Sequence, residues 1–319
     1  ASAGLRTGRF SARQMSDKIQ KSLIVDLRST YTRLFSRNWV IPTFIVVWVI
    51  IVIVPLLIMV AHSFFEMKQY RVVYDGSFKT WESLIDSGRW IAGLRTLRIV
   101  LVMTAIEFLV AFPFALWLAK VCKSKATKAV IITLLTIPFF LDPSSRTIIW
   151  RAILGKNGII NFVLMETGII NEPIEWMLFS EFAVHFGILA PYFPTMVFPI
   201  FLVISLIDDD YLEASRDLGA SKLQTLFRII LPLSLPGIVA GGVFTMVPLM
   251  ATWVEPEMLG GGFVNLLGPS VDAAMRELKY PTAAALSVFV VALLVIFLAL
   301  LILATRRLGS VGDIFHTMK

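Results

Sequence analysis

Long apolar runs separated by short polar breaks dominate this chain, and the first runs uncharged from Asn38 to Phe65. That exceeds the roughly 20 residues a helix needs to cross a bilayer. Further runs cover about Arg98–Ala119, Ala129–Leu154 and Phe182–Ile207, then Pro236 up to the turn that opens at Trp253, and Ala283–Ala304. They predict an all-α, polytopic membrane protein with six transmembrane helices. The third run is interrupted. Only 13 residues lie between Ala129 and Leu141, a rise of about 20 Å against a core about 30 Å thick. Asp142-Pro143 then has the form of a helix start, with Asp as N-cap and Pro at the first position. The pattern predicts a kinked or broken span whose second piece ends at Gly155, a plain proline kink being the simpler alternative. Pro191, Pro194 and Pro199 mark the fourth run as bent.

Polar breaks set the sidedness. Residues 1–38 hold eight Lys/Arg, with Asp17 and Asp26 the acids among them. Within them Ile19, Leu23, Leu27, Tyr31 and Phe35 recur every four residues, predicting an amphipathic helix on the membrane surface. The first apolar run starts too late and is too long for the core of a signal peptide. Lys120, Lys123, Lys125 and Lys128 form a loop without acid, and Arg306-Arg307 close the last run. Such basic segments are retained in the cytoplasm. Both termini are therefore expected there, with a cytoplasmic segment over 1–38, a six-span transmembrane domain over 39–305 and a tail over 306–319.

One long polar stretch stands apart, between the fourth and fifth runs at residues 206–232. Asp208, Asp209 and Asp210 offer N-cap oxygens and charge suited to a helix start. Tyr211, Ala214 and Leu218 fall on one face, and Gly219 stands where a terminating glycine belongs. Ser221 and Gln224 have capping-box spacing for a second helix, which Pro232 is expected to close. The result is a helix–joint–helix knuckle with Glu213, Arg216 and Asp217 turned to solvent.

Glu107 lies inside the second run, where a charge costs on the order of 3 kcal/mol on insertion scales. Ala111, Ala115 and Ala119 follow at four-residue steps, a packing face that turns Glu107 into protein or a cavity. A structural hydrogen bond and a solute contact fit it equally. Gly237, Gly241 and Gly242 offer a second small-residue face, for a helix of this chain or of a second subunit. His185 fits a packed or hydrogen-bonded histidine, since no other ligand stands at metal spacing.

Composition closes off other classes. The chain has 319 residues, 57% of them hydrophobic, and a net charge of +7; its mean hydropathy is +0.80. The basic excess sits beside spans and not in a nucleic-acid face. The single cysteine, Cys122, excludes an internal disulfide. There is no Walker A pattern, no G-x-S-x-G and no H-E-x-x-H, so no covalent chemistry is expected here. No internal repeat supports an inverted-repeat secondary transporter.

Glu213-Ala214-Ser215, Gly219 and Ile229-Ile230-Leu231-Pro232 resemble the EAA loop of ABC importer permeases, with Ser215 the one departure. Thr104, Pro113, Ala115, Pro138-Phe139-Phe140, Arg146-Thr147, Trp150, Gly155, Asn157-Gly158 and Pro256 to Gly261 are similar to the spermidine/putrescine-type branch of the type I permeases. The resemblance implies the type I permease fold and a coupling helix, carried here by Glu213, Ala214, Ser215, Arg216, Asp217 and Gly219. It implies a second permease, two ATP-binding subunits that hold ATP and Mg, an extracytoplasmic substrate-binding protein and a bacterial inner membrane. This chain would bind no cofactor, no metal and no nucleic acid. The solute would be small, polar and organic, polyamine-like or another nitrogenous compound. Relatives commonly read Gly-Asp-Phe-Val-Thr-Pro-Glu where this chain has Ala251 to Glu257, so the acid expected at Thr252 is absent and one stands at Glu255. Candidate pathway residues are Glu107, Asp142, Arg146, Thr252, Trp253 and Glu255. A self-sufficient channel or secondary transporter, with Glu107 as the ion or proton site, is the rival from another class; a structural scaffold is a third.

Overall fold

The computed structural model describes residues 40–68 and 71–307, which divide into two units between Ile58 and Met59. The expected surface helix at Ser16–Phe35 and most of the C-terminal tail lie outside the described residues. Among those described, six helical stretches are long and apolar enough to cross a membrane: Ile41–His62, Trp90–Val121, Pro143–Glu166, Glu181–Leu206, Lys222–Ala251 and Tyr280–Leu301. The first helix, Val40–His62, is apolar all round, as a lipid-facing span should be. After it comes a two-stranded hairpin, Glu66–Lys68 against Arg71–Val73 with Glu66 opposite Val73. A short helix, Lys79–Asp86, leads to the second span.

That span begins at Trp90, well before the expected Arg98, and ends in a widened turn, Trp117–Val121, where the Cys122 N–H donates to the Trp117 carbonyl. The lysine-rich loop is shorter than expected. Ser124 caps the next helix, its Oγ accepting from the Thr127 N–H at 3.2 Å, so Lys125 and Lys128 are helical. Lys128 Nζ donates back to the Ala119 carbonyl at 3.1 Å, serving one of the orphan acceptors at a helix end.

The expected third span, Ala129–Leu154, is broken and not merely kinked, and the stretch long enough to cross begins only with its second piece, at Pro143. Helix Lys125–Phe140 ends at the extended residues Leu141 and Asp142. Asp142 Oδ2 accepts from the Ser144 and Ser145 N–H groups, and Pro143 opens the half-helix Pro143–Leu154. The first piece, at 16 residues, rises about 24 Å, short of a full crossing. Past Gly155, helix Ile159–Glu166 is stapled to the following loop by buried Asn161. Its amide donates to the carbonyls of Gly155 and Ile174 and accepts from the Ile174 N–H.

The fourth span, Glu181–Leu206, runs unbroken through its three prolines. The fifth starts much earlier than Pro236. A helix opening at Lys222 passes through a second widened turn, Leu226–Ile230, and continues over Leu231–Ala251. Pro232 therefore does not end a separate helix. A proline clashes with the carbonyl four residues back and leaves it unpaired; here the turn just before it is widened, the Leu231 N–H reaching the Leu226 carbonyl. Beyond Ala251, the extended Thr252 leads to Trp253 and the short helix Val254–Gly260, then helix Leu267–Arg276 and the sixth span from Tyr280.

Spans two, four and five pack on one another around two apolar clusters. One joins Ile99 and Met103 to Val184, Ile188, Met246, Leu249, Leu154 and Leu259, at the end far from the knuckle. The other joins Ala111 and Ala115 to Met196, Val197, Ile200, Ile204 and Ile230, near the knuckle. The glycine face of span five is used inside the chain. A Cβ on Gly237 would lie 2.7 Å from the Pro199 carbonyl oxygen and one on Gly241 2.9 Å from that of Met196, while Gly242 meets nothing within 4 Å.

Candidate functional site

The knuckle is built almost entirely from its own local groups. Asp208 is extended and its Oδ1 accepts from the Asp210 N–H at 3.3 Å, starting helix Asp209–Asp217. The helix ends on Gly219, whose φ of +76° is the left-handed conformation. The Ala220 N–H donates to the Ser215 carbonyl at 3.0 Å and the Gly219 N–H to that of Arg216 at 2.9 Å, the paired bonds of a Schellman end. The second helix opens with a complete capping box: Ser221 N–H to Gln224 Oε1 at 2.8 Å, and Gln224 N–H to Ser221 Oγ at 3.3 Å.

Glu213, Arg216 and Asp217 are exposed, as expected, and so is Ala214. The apolar face, however, is not covered. Tyr211 is 52% and Leu218 88% exposed, with Leu223 and Phe227 exposed beside them. The side turned inward carries Leu212 and the buried Ser215. Ser215 Oγ and Thr225 Oγ1 are 2.7 Å apart, so the one departure from the family motif makes a hydrogen bond between the two helices of the knuckle. Thr225 was not singled out by sequence; nothing local marks a hydroxyl ten residues away as its partner.

Lys120 is the second residue the sequence undervalued. It reads as one more basic loop residue, yet its Nζ donates to the Ile207 carbonyl at 2.5 Å and to Asp209 Oδ1 at 2.7 Å. This anchors the end of span two to the start of the knuckle. The ammonium beside Asp209 holds that carboxyl below its ordinary range. Between the two elements lies a groove of about 540 Å³, lined by Lys120, Asp209, Glu213, Arg216, Leu223 and Leu226 among others.

Glu107 is fully buried on span two, and among the described residues neither carboxylate oxygen has a hydrogen-bond partner. Met103 and Ala111, one turn to either side, belong to the two different clusters, so Glu107 sits at the seam between them. The structural hydrogen bond that the sequence allowed is not made among the described residues.

Arg146, Thr252 and Glu255 come together at the far end. Arg146 Nη2 donates to Glu255 Oε1 at 3.3 Å, the Thr252 hydroxyl to Glu255 Oε2 at 2.5 Å, and Arg146 Nη1 to the Pro138 carbonyl at 3.4 Å. The Glu255 side chain is 2% exposed and that of Arg146 18%. Arg146 Nε is buried without a partner. The acid read as displaced from position 252 is thus hydrogen-bonded to the residue standing there. Asp142 is outside this cluster, occupied with capping its half-helix; Trp253, 41% exposed, adjoins it. His185 Nδ1 lies 2.5 Å from the Glu181 carbonyl, the bonded histidine that the sequence suggested. Among the described residues no group of His, Cys, Asp and Glu could hold a metal ion.

Residues 101–309 match the family model described as "Binding-protein-dependent transport system inner membrane component". The chain is 31% identical over 283 residues to the spermidine/putrescine transport system permease protein PotB of Salmonella typhimurium (strain SL1344), covering 87% of this chain and 97% of that one. The protein of that name from Escherichia coli (strain K12) is 30% identical over 271 residues, covering 83% and 97%. In fold, the chain is similar to a chain of the bacterial alginate ABC transporter solved with an alginate pentasaccharide-bound periplasmic protein. The TM-score is 0.70 at 17% identity, with 88% of this chain and 98% of that one covered.

Proposed function

We infer the working of this chain from one premise: it belongs to the family of binding-protein-dependent transport system inner membrane components. It is a permease component of an ABC importer, a multi-pass protein of the inner membrane. Beyond that, we propose that the knuckle is the surface on which an ATP-binding subunit docks. Glu213, Ala214, Ser215, Arg216, Asp217 and Gly219 would carry the contact. Two such subunits would hold the ATP and Mg, a second permease would complete the pathway, and an extracytoplasmic binding protein would deliver the solute. Both termini would lie on the knuckle side, in the cytoplasm, and this chain would carry out no covalent step.

The observation that supports this reading best is the exposure of Tyr211 and Leu218 on a helix whose own ends are fully capped. Apolar side chains held outward on a rigid, self-satisfied helix suit a protein partner. A self-sufficient secondary transporter would have no use for them. Closure of the ATPase pair would push this helix, and the Lys120–Asp209 anchor would pass the push to span two. The solute we propose is a small polar organic compound, polyamine-like or otherwise nitrogenous, consistent with what the relatives' names state of them. Glu107, Arg146, Thr252 and Glu255 would lie on or beside its path.

Glu213→Lys in the reconstituted complex tests the docking surface. It reverses charge on an exposed side chain that caps nothing, so the spans should insert normally. Transport per ATP hydrolysed is expected to fall about tenfold, equivalent to about 1.4 kcal/mol of coupling. Unchanged coupling would remove this helix from the ATPase contact. Uptake of radiolabelled spermidine and putrescine by the same proteoliposomes tests the solute class.

A further inference from the structure

We propose that Arg146 and Glu255 form a latch, closed in this structure, that holds the broken third span against the outer end of span five and opens in each transport cycle. They are positioning residues for transport. The proposal rests on the permease reading above, which makes the end far from the knuckle the outer one.

The two partners stand 109 positions apart, and each belongs to a piece hinged to its span. Arg146 is in the first turn of the half-helix Pro143–Leu154, joined to the helix before it through extended Leu141 and Asp142. Glu255 is in the first turn of the short helix Val254–Gly260, joined to span five through Thr252 and Trp253, neither of which is helical. A few such residues at element ends are what hinges are made of. At their other ends the two pieces share apolar packing, since Leu154 and Leu259 belong to one buried cluster. The pair of short helices is therefore glued at one end and tied by charge at the other. Separation at the charged end would swing them about their shared apolar packing.

The charged tie is also incompletely satisfied. Glu255 uses one oxygen on Thr252 and offers Arg146 only the other, so the guanidinium makes one 3.3 Å contact in place of a two-pronged pair. Its second arm reaches a carbonyl at 3.4 Å, and its Nε, buried, donates to nothing. A permanent buried ion pair needs excellent geometry and every remaining donor satisfied to offset its desolvation. This one leaves donors spare. Such a tie can let go when the outer end opens, because water or an acceptor on a passing solute would give Arg146 bonds that it lacks here.

The test follows a buried thiol in the complex reconstituted with its partner subunits. Cys122, at the knuckle end, is first replaced by serine, and Thr147→Cys places a thiol at a fully buried position next to Arg146. Labelling by an impermeant maleimide should be slow without nucleotide and about tenfold faster after trapping with ATP and vanadate. Adding Glu255→Gln should make labelling fast without nucleotide. The charge-reversed pair Arg146→Glu with Glu255→Arg should return it toward the slow rate, which a merely misfolded protein would not do. Slow labelling in Glu255→Gln, or no recovery in the reversed pair, overturns the latch. A second arm asks whether the tie must open. Arg146→Cys with Glu255→Cys, bridged by a reducible bifunctional thiosulfonate, should lose ATP hydrolysis about tenfold and regain it on reduction. Hydrolysis at the unbridged rate would make the tie static and end the proposal. If the Thr147→Cys parent shows no nucleotide-dependent change while the complex still drives uptake with ATP, the latch fails and the permease reading stands; if the complex drives no ATP-dependent uptake, the permease reading itself fails.

Discussion

The knuckle and the latch sit at opposite ends of the same helix bundle and are held by opposite means. At the knuckle every helix end is closed by a neighbour in sequence: Asp208 on Asp210, Ala220 on Ser215, and Ser221 with Gln224. Its charges are exposed and its apolar face is bare. At the latch the charges are buried, the partners are distant in sequence, and one donor of Arg146 is left over. The first arrangement makes a rigid body that can be pushed from outside. The second makes a joint that two states can share. A permease needs both, since force received at one end is useful only if something at the other end can yield.

The sharpest way to break this contrast is to remove one charge. Arg146→Ala strands Glu255 in the interior, and removing one partner of a buried pair typically costs about 3–5 kcal/mol. Thermal unfolding of the purified complex should show a large drop, whereas Arg146→Leu with Glu255→Leu should recover most of the stability without restoring nucleotide-gated access. A small effect of Arg146→Ala would mean that water already reaches Glu255.

Gly219→Pro acts on the knuckle instead. Proline cannot adopt a φ of +76° and removes the N–H that donates to the Arg216 carbonyl. The local cost is about 2 kcal/mol, confined to a segment outside the spans. Insertion and ATP binding should survive while transport per ATP falls about tenfold or more. A Cβ at Gly219 meets nothing within 4 Å, so the effect comes from backbone conformation and not from crowding, and Gly219→Asn should be mild.

The same contrast explains what could be read in the sequence. Caps, a terminating glycine and apolar run lengths act over four or five residues, so the knuckle, the break at Asp142-Pro143 and the spans were legible. Which face of the knuckle is buried was not, because periodicity marks Tyr211, Ala214 and Leu218 as a face without saying what covers it. Pro232 misled because proline ends an ordinary helix, and the widened turn over Leu226–Ile230 is invisible in composition. Glu255 seemed a displaced acid because its pairing with Arg146 depends on the tertiary fold. The second oxygen of Glu255 accepts from the Thr252 hydroxyl, so the acid and the residue at position 252 are joined by a single hydrogen bond.

The finest test concerns Ser215, where the sequence departs from the family's loop by one hydroxyl. That hydroxyl is buried and 2.7 Å from Thr225 Oγ1, so it could be the pin that fixes the angle of the knuckle. Yet Thr225 keeps a second partner, donating to the Ser221 carbonyl at 3.2 Å. Removing the serine oxygen therefore leaves no buried donor stranded, which is the costly outcome when a hydrogen bond is deleted. The loss should be about 0.5 kcal/mol, and alanine, the better helix former, regains part of it. Ser215→Ala should thus preserve coupling, measured as transport per ATP, to within about twofold. A larger loss would show that the knuckle's angle is set by this one contact across its joint and not by the caps on either side.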